Sequence, residues 1–185
     1  MTKSIHNLLQ HLRNKIKISK TNHLAIDITS KLVDCNISVY GLNNKVHIGK
    51  NTTIRNSTIE IHGQNCEISI GDDCVIGDNC YFVTKENEIK IIIDNHCMLS
   101  RNVKIMASDG HTIFNKKNGR INHSKSITVS HHVWLADNVT ILKGVIVGSN
   151  SVVGINSTLT KSIPKNSIAV GNPAKITANN IYWEK

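Results

Sequence analysis

At 185 residues the chain is one domain by length, with ample material for a buried core. Lysine and arginine total 22 against 13 acids, and the net charge of +9 suits an anionic ligand, nucleic acid or an acidic membrane surface. No segment approaches the ~20 apolar residues of a membrane span, and the start lacks the apolar core of a secretory signal, so a cytoplasmic protein is expected.

Residues 1–23 form a first unit. Within it, residues 4–18 read as an amphipathic helix: Ile5, Leu8, Leu9, Leu12 and Ile16 share one face, and Ser4 can cap it. Lys3, Arg13, Lys15, Lys17 and Lys20 face no acid in this stretch. Such a helix suits either peripheral association with a membrane surface or packing across an open end of the main domain.

The main domain, residues 24–176, repeats in sixes. The period is clearest from Val129 to Pro164, where Val129, Leu135, Ile141, Val147, Val153 and Leu159 are six apart. Six is neither the 3.6 of a helix nor the 2 of a long strand; it is a short strand plus a corner, the unit of a parallel β-helix. Fifth and first places lie two residues apart and face inward together. The fourth place takes His132, Asn138, Gly144, Asn150 and Asn156, residues that tolerate the positive φ a corner needs. Three units should close one triangular coil every eighteen residues.

Upstream the beat is less regular. Val46 to Thr52 is a good hexad, while Ile54, Ile59 and Ile61 continue strands in drifting register. Ile70 and Ile76 restore it, Lys85–Lys90 interrupts it as a turn or small excursion, and Ile93, Leu99 and Ile105 keep sixes. Ser57, Ser108 and Ser162 are the exceptions in fourth place. Cys74, Cys80 and Cys97 take fifth places and read as small core residues rather than metal ligands or a disulfide set. A narrow bore also explains why only 4% of residues are aromatic.

From about residue 107 to 128 the repeat stops, and Gly110, Gly119 and a basic tip mark a loop leaving the solenoid. After Pro164 comes a last strand with a Gly-Asn-Pro turn. Residues 177–185 are a polar tail ending in Tyr182 and Trp183.

Three stretches carry a family resemblance: SDGHTIF at 108–114, HVWLADNVTILKGVIVGSNSVVG at 132–154, and LTKSIPKNSIAVGNPAKI at 159–176. Over residues 46–176 the chain resembles the hexapeptide-repeat acyltransferases, an all-β family built as a left-handed parallel β-helix. The hand comes from the resemblance alone, because right-handed crossovers are the general rule. The Ser-Asp-x-His-x-Ile run looks most like O-acetyltransferases of capsular or other surface polysaccharides.

The resemblance implies a homotrimer with acetyl-CoA lying in clefts between neighbouring solenoids and a carbohydrate as acceptor. His111 would be the general base, deprotonating an acceptor hydroxyl as its oxygen attacks the thioester; imidazole, with an ordinary pKa near ~6.5, suits that task. Asp109 would orient the imidazole or bind the acceptor, or be a solvated carboxylate. Trp134 would stand against the reacting groups, or anchor a subunit interface. Ala136 and Gly154 would admit the pantetheine arm of CoA, and Lys161 and Lys175 would meet its phosphates, since no phosphate-binding glycine loop is present. Asn102 would bind the acceptor or be a plain corner asparagine. His123 is the rival base; His96, His131 and His132 read as corner residues.

Other readings compete. Carbonic anhydrases share the solenoid but need zinc-binding histidines, and the single H-x4-H here, His6 and His11, lies outside the repeat. No metal is expected. No nucleic-acid motif is present, so no nucleic acid is expected either. Within the family, the alternative is an N-acetyltransferase acting on a nucleotide-linked amino sugar or an antibiotic.

Overall fold

Alternation of burial shows which way each short strand faces. In Lys45–Ile48, Val46 and Ile48 are buried while Lys45 and His47 are exposed. Repeated over the chain, this gives a hollow three-sided prism whose interior is filled by one aliphatic side chain after another. The computed structural model describes residues 13–184.

Face one holds seven strands, Lys15–Ile18, Asn36–Val39, Thr58–Ile61, Tyr81–Thr84, Lys104–Met106, Thr140–Leu142 and Thr158–Leu159. Face two holds six, beginning with His23–Ile26, Lys45–Ile48, Glu67–Ile70 and Lys90–Ile93, and continuing through Ile127–Val129 and Ile146–Val147. Face three runs from Lys31–Val33 through Thr53–Arg55, Val75–Ile76, Met98–Leu99, Trp134–Leu135 and Val152–Val153 to Ser167–Gly171. All of these pair in parallel; Ala174–Asn179 then folds back antiparallel on Ser167–Gly171. The first edge joins faces one and two, the second joins two and three, and the third returns to face one.

Coil length differs from the eighteen-residue expectation in the first half. Thr140 pairs with Thr158, an offset of 18. Asn36 pairs with Thr58 and Thr58 with Tyr81, offsets of 22 and 23. The extra residues all sit on the first edge, at 40–44, 62–66 and 85–89. The interruption at Lys85–Lys90 is therefore the third of a series, and Lys90 already opens a strand. Buried Asn44 fills the wider corner by donating to Tyr40 O at 2.6 Å and Gly63 O at 2.8 Å and accepting from Cys66 N.

The corner chemistry is as the repeat predicts. His96, Asn102, His132, Asn138, Asn150 and Asn156 have φ between 54° and 61°, and Gly144 has φ 80°. Ser57 departs from it: it is buried and Asn56 takes the positive φ, a one-residue slip in the register. All five cysteines are buried in inward columns, with Cys80 between Ser57 and Val103. Burial pushes the Cys80 thiol up to about 11, so it stays protonated as a small apolar residue.

Two terminal expectations change. Lys15–Ile18 is a strand on face one rather than the end of a helix, because its K-I-K-I alternation lets Ile16 pack against the core. The solenoid thus begins before residue 24; of the rest of the expected helix, Arg13 keeps a helical backbone and Asn14 is a bend, while residues 4–12, and the membrane contact assigned to the helix, lie outside the described residues. The tail is not merely polar: Trp183 is buried, donates its indole N–H to His132 O at 3.0 Å and stacks on the His132 ring at 4.2 Å. Among the described residues no helix is long and apolar enough to cross a membrane.

Candidate active site

The loop leaves face one after Met106 and rejoins face two at Ile127, so it springs from the first edge. A short antiparallel hairpin, Phe114–Asn115 with Gly119–Arg120, forms its tip. Three ties hold it to the coil beneath. Arg120 pairs with Glu86, Ser124 N donates to Glu86 at 3.3 Å, and Lys90 N donates to Ser126 Oγ at 2.9 Å. Burial raises the Glu86 carboxyl, but Arg120 and Ser124 outweigh it and hold the group below the usual carboxylate range.

Asn122 organises the loop's interior. Its side chain is buried; Nδ2 donates to His111 O at 2.7 Å and to Asp109 Oδ2 at 3.0 Å, while Oδ1 accepts from Ile113 N at 2.7 Å. Lys143, from the next coil, donates to the same Asp109 oxygen. That ammonium holds Asp109 below the usual carboxylate range, with Asn122 assisting against partial burial. Asp109 thus engages Lys143 and Asn122, and Asn122 fixes the His111 backbone. The His111 side chain is exposed, and among the described residues its ring has no hydrogen-bond partner. His123 is also exposed on the loop.

Face three carries the second feature, a groove of about 660 Å³. Val75, Met98, Trp134 and Val152 stack in register along its floor. The indole N–H of Trp134 donates to Ser100 Oγ at 3.2 Å. Beside this apolar column runs one of small residues, Gly77, Ser100, Ala136 and Gly154, joined coil to coil by backbone hydrogen bonds. Their lack of bulk is what opens the slot. A Cβ at Gly154 would stand 2.5 Å from Val170 Cγ1, so the glycine lets the last strands close tightly over the groove's end. At the third edge Arg101 binds Asp137, whose carboxyl it holds below the usual range.

The expected site residues therefore fall in five places. Trp134, Ala136 and Gly154 share the groove. Asp109 and His111 share the loop. Asn102 stands at the third edge in a ladder of corner amides, its Nδ2 donating to Asn138 Oδ1 at 2.9 Å. Lys161 is exposed at the first edge above Lys143, and Lys175 is exposed on Ala174–Asn179. Sequence reasoning missed Asn122, Lys143 and Ser100. Among the described residues no cluster of three or more His, Cys, Asp or Glu side chains could hold a metal ion.

No family model matches the chain. Polysialic acid O-acetyltransferases of Escherichia coli O1:K1 and Neisseria meningitidis are each 37% identical to it, over 141 and 143 residues. The matches cover 76% and 66% of this chain but only 45% and 66% of those proteins, so the chain spans about half to two thirds of these curated relatives. The crystal structure of the polySia-specific acetyltransferase NeuO is 33% identical, with a TM-score of 0.73 covering 94% of this chain and 89% of that one. The chain belongs to the hexapeptide-repeat acetyltransferases, and its solenoid is the left-handed β-helix of that family.

Proposed function

We propose that the protein is an acetyl-CoA-dependent O-acetyltransferase acting on a sugar hydroxyl of a capsular or other surface polysaccharide, or of its precursor. The observation that carries this reading is the exposed His111 imidazole on a loop whose backbone is pinned by Asn122, in a chain similar to polysialic acid O-acetyltransferases. His111 takes the proton from the acceptor hydroxyl as the oxygen attacks the thioester carbonyl. The tetrahedral adduct collapses, the C–S bond breaks, and the imidazolium gives the acceptor's proton to the departing thiolate. The products are a sugar ester and CoA, with no acyl-enzyme.

Within one chain the loop and the groove are far apart. The loop leaves from the first edge and the groove lies on face three, with the width of face one between them. A four-residue strand alone spans ~13 Å. A second copy closes the gap by laying its loop over the neighbour's groove, and this head-to-tail contact repeated about an axis makes a ring, here a homotrimer. Ile113, Phe114 and Ile121, 51%, 66% and 59% exposed on the loop, supply the apolar contact. The groove holds pantetheine along Ala136 and Gly154 with Trp134 at its reacting end; Lys161 and Lys175 meet the phosphates, and Asn102 meets the acceptor. An acetyl-CoA donor places the reaction in the cytoplasm.

Asn122→Ala should lower kcat by up to ~10²-fold with the KM for acetyl-CoA little changed, because the base remains but is no longer held. An equal rise in that KM would instead assign Asn122 to donor binding. The function itself is tested by incubating the protein with acetyl-CoA and polysialic acid, neutral hexose polymers or nucleotide-linked amino sugars, and reading products by mass spectrometry. An acetyl group removed by mild hydroxide marks an ester, as expected; a hydroxide-stable amide would contradict the reading.

A further inference from the structure

The three wide corners of the first edge stack directly beneath the loop, and what they present outward is not arbitrary. Val39 pairs with Ile61 and Ile61 with Thr84, so the residues that follow, Tyr40, His62 and Lys85, occupy one column. Backbone bonds continue through it, from Tyr40 N to Ile61 O at 2.8 Å and from His62 N to Thr84 O at 3.0 Å. One coil further on, the same place is taken by Ser108, where the chain departs toward His111.

All three side chains are exposed. Tyr40 is 44% exposed and stacks on His62, ring centres 5.3 Å apart and planes 26° from parallel. Lys85 has no ion pair among the described residues, and its Nζ stands 3.9 Å from where a Cβ on Gly110 would lie, beside the residue that precedes His111. Most carboxylates of this edge are already engaged. Glu60 accepts from Tyr81 Oη at 2.7 Å and faces His62 at 3.6 Å, Glu86 is held by Arg120, and Asp109 by Lys143. Glu88, at the corner turning toward face two, has no ion pair among the described residues. The loop adds exposed Lys116, Lys117 and Lys125.

We propose that Tyr40, His62 and Lys85 form a track for an acidic polysaccharide, one coil per sugar residue, which leads the polymer up the first edge to His111. The inference rests on the acetyltransferase reading above and adds how the acceptor is held. Coils repeat at ~4.8 Å, a spacing comparable with one linked sugar ring. Exposed aromatic faces take the C–H faces of pyranose rings, and the ammonium and imidazole donate to their carboxylates. Two stacked rings serving only to cover each other would not end in an unpaired lysine beside the loop.

The test uses the whole protein with length-defined polysialic acid fractions and neutral dextran. Binding of fluorescent polymer is measured without acetyl-CoA, and KM values are measured in transfer. In Tyr40→Ala the Kd and KM for long polysialic acid should rise ~10-fold, while those for a one- or two-residue fragment do not move. In Lys85→Gln both long and short acidic acceptors should weaken, and the KM for acetyl-CoA should stay put in either variant. Equal losses for long and short acceptors in Tyr40→Ala, unchanged polymer affinity in both variants, or wild-type protein that binds dextran as well as polysialic acid would overturn the track. Wild type that binds the acidic polymer with the predicted length dependence yet acetylates nothing would leave the track standing and remove the proposed function. Wild type that acetylates without binding long polymer better than short would do the reverse.

Discussion

His111→Ala should slow acetyl transfer by ~10²- to 10⁴-fold and leave the folded assembly and its acetyl-CoA affinity as they were. The imidazole is exposed and makes no hydrogen bond among the described residues, whereas the backbone carbonyl of the same residue accepts from Asn122. Alanine keeps that carbonyl. Removing the ring therefore removes a proton acceptor and little else, and an exposed substitution of this kind changes stability by no more than ~0.5 kcal/mol. Steady-state rates, with calorimetric titration of CoA into the variant, separate chemistry from binding. Wild-type turnover would eliminate His111 as the base; the double variant with His123→Ala then tests the other loop histidine.

Phe82→Ala is expected to have the largest effect on stability. Phe82 is 0% exposed and is among the bulkiest of the fully buried side chains. It stacks between Ile59 and Ile105 in consecutive coils of face one. Truncating a buried phenylalanine costs ~3–5 kcal/mol, part for lost transfer and part for the cavity left behind. A solenoid coil touches only its neighbours, so the void cannot be filled by rearrangement elsewhere. The damaged strand also leads into Lys85 and Glu86, the latter anchoring the loop through Arg120. Activity should fall at temperatures below the main unfolding transition. Denaturant titration checks the stability, and a loss below ~1 kcal/mol would show that the bore closes over the gap.

How far the sequence could be read depended on coil length. From Val129 to Leu159 the coils are eighteen residues long, and the aliphatic positions and left-handed corners fall where the hexads put them; the last coil, from Val147 to Ile163, shortens to sixteen. Before Val129, the wide first edge lengthens each coil by three to five residues and a six-residue ruler slides out of step there, while at Ser57 the third edge is one residue short. The column Gly77, Ser100, Ala136 and Gly154 was hidden for the same reason: its members are unevenly spaced in sequence and align only once the loop is excised. Lys15–Ile18 carried two competing periods, and docking on the solenoid favoured the strand. At the site, the loop histidine could be singled out by its motif. Asn122 could not, because a buried amide binding His111, Asp109 and Ile113 of its own loop leaves no pattern in composition or spacing. Trp183 was hidden likewise, since its burial depends on His132, 51 residues away.

The claim that loop and groove come from different copies is tested most directly by subunit mixing. His111→Ala disables the loop, and Ala136→Trp fills the groove; each protein alone should be inactive. Co-assembled in equal amounts, a head-to-tail ring regains about a quarter of wild-type activity, because one site in four joins an intact loop to an intact groove. No recovery in assemblies shown to contain both chains would contradict the account and place the whole site within one chain.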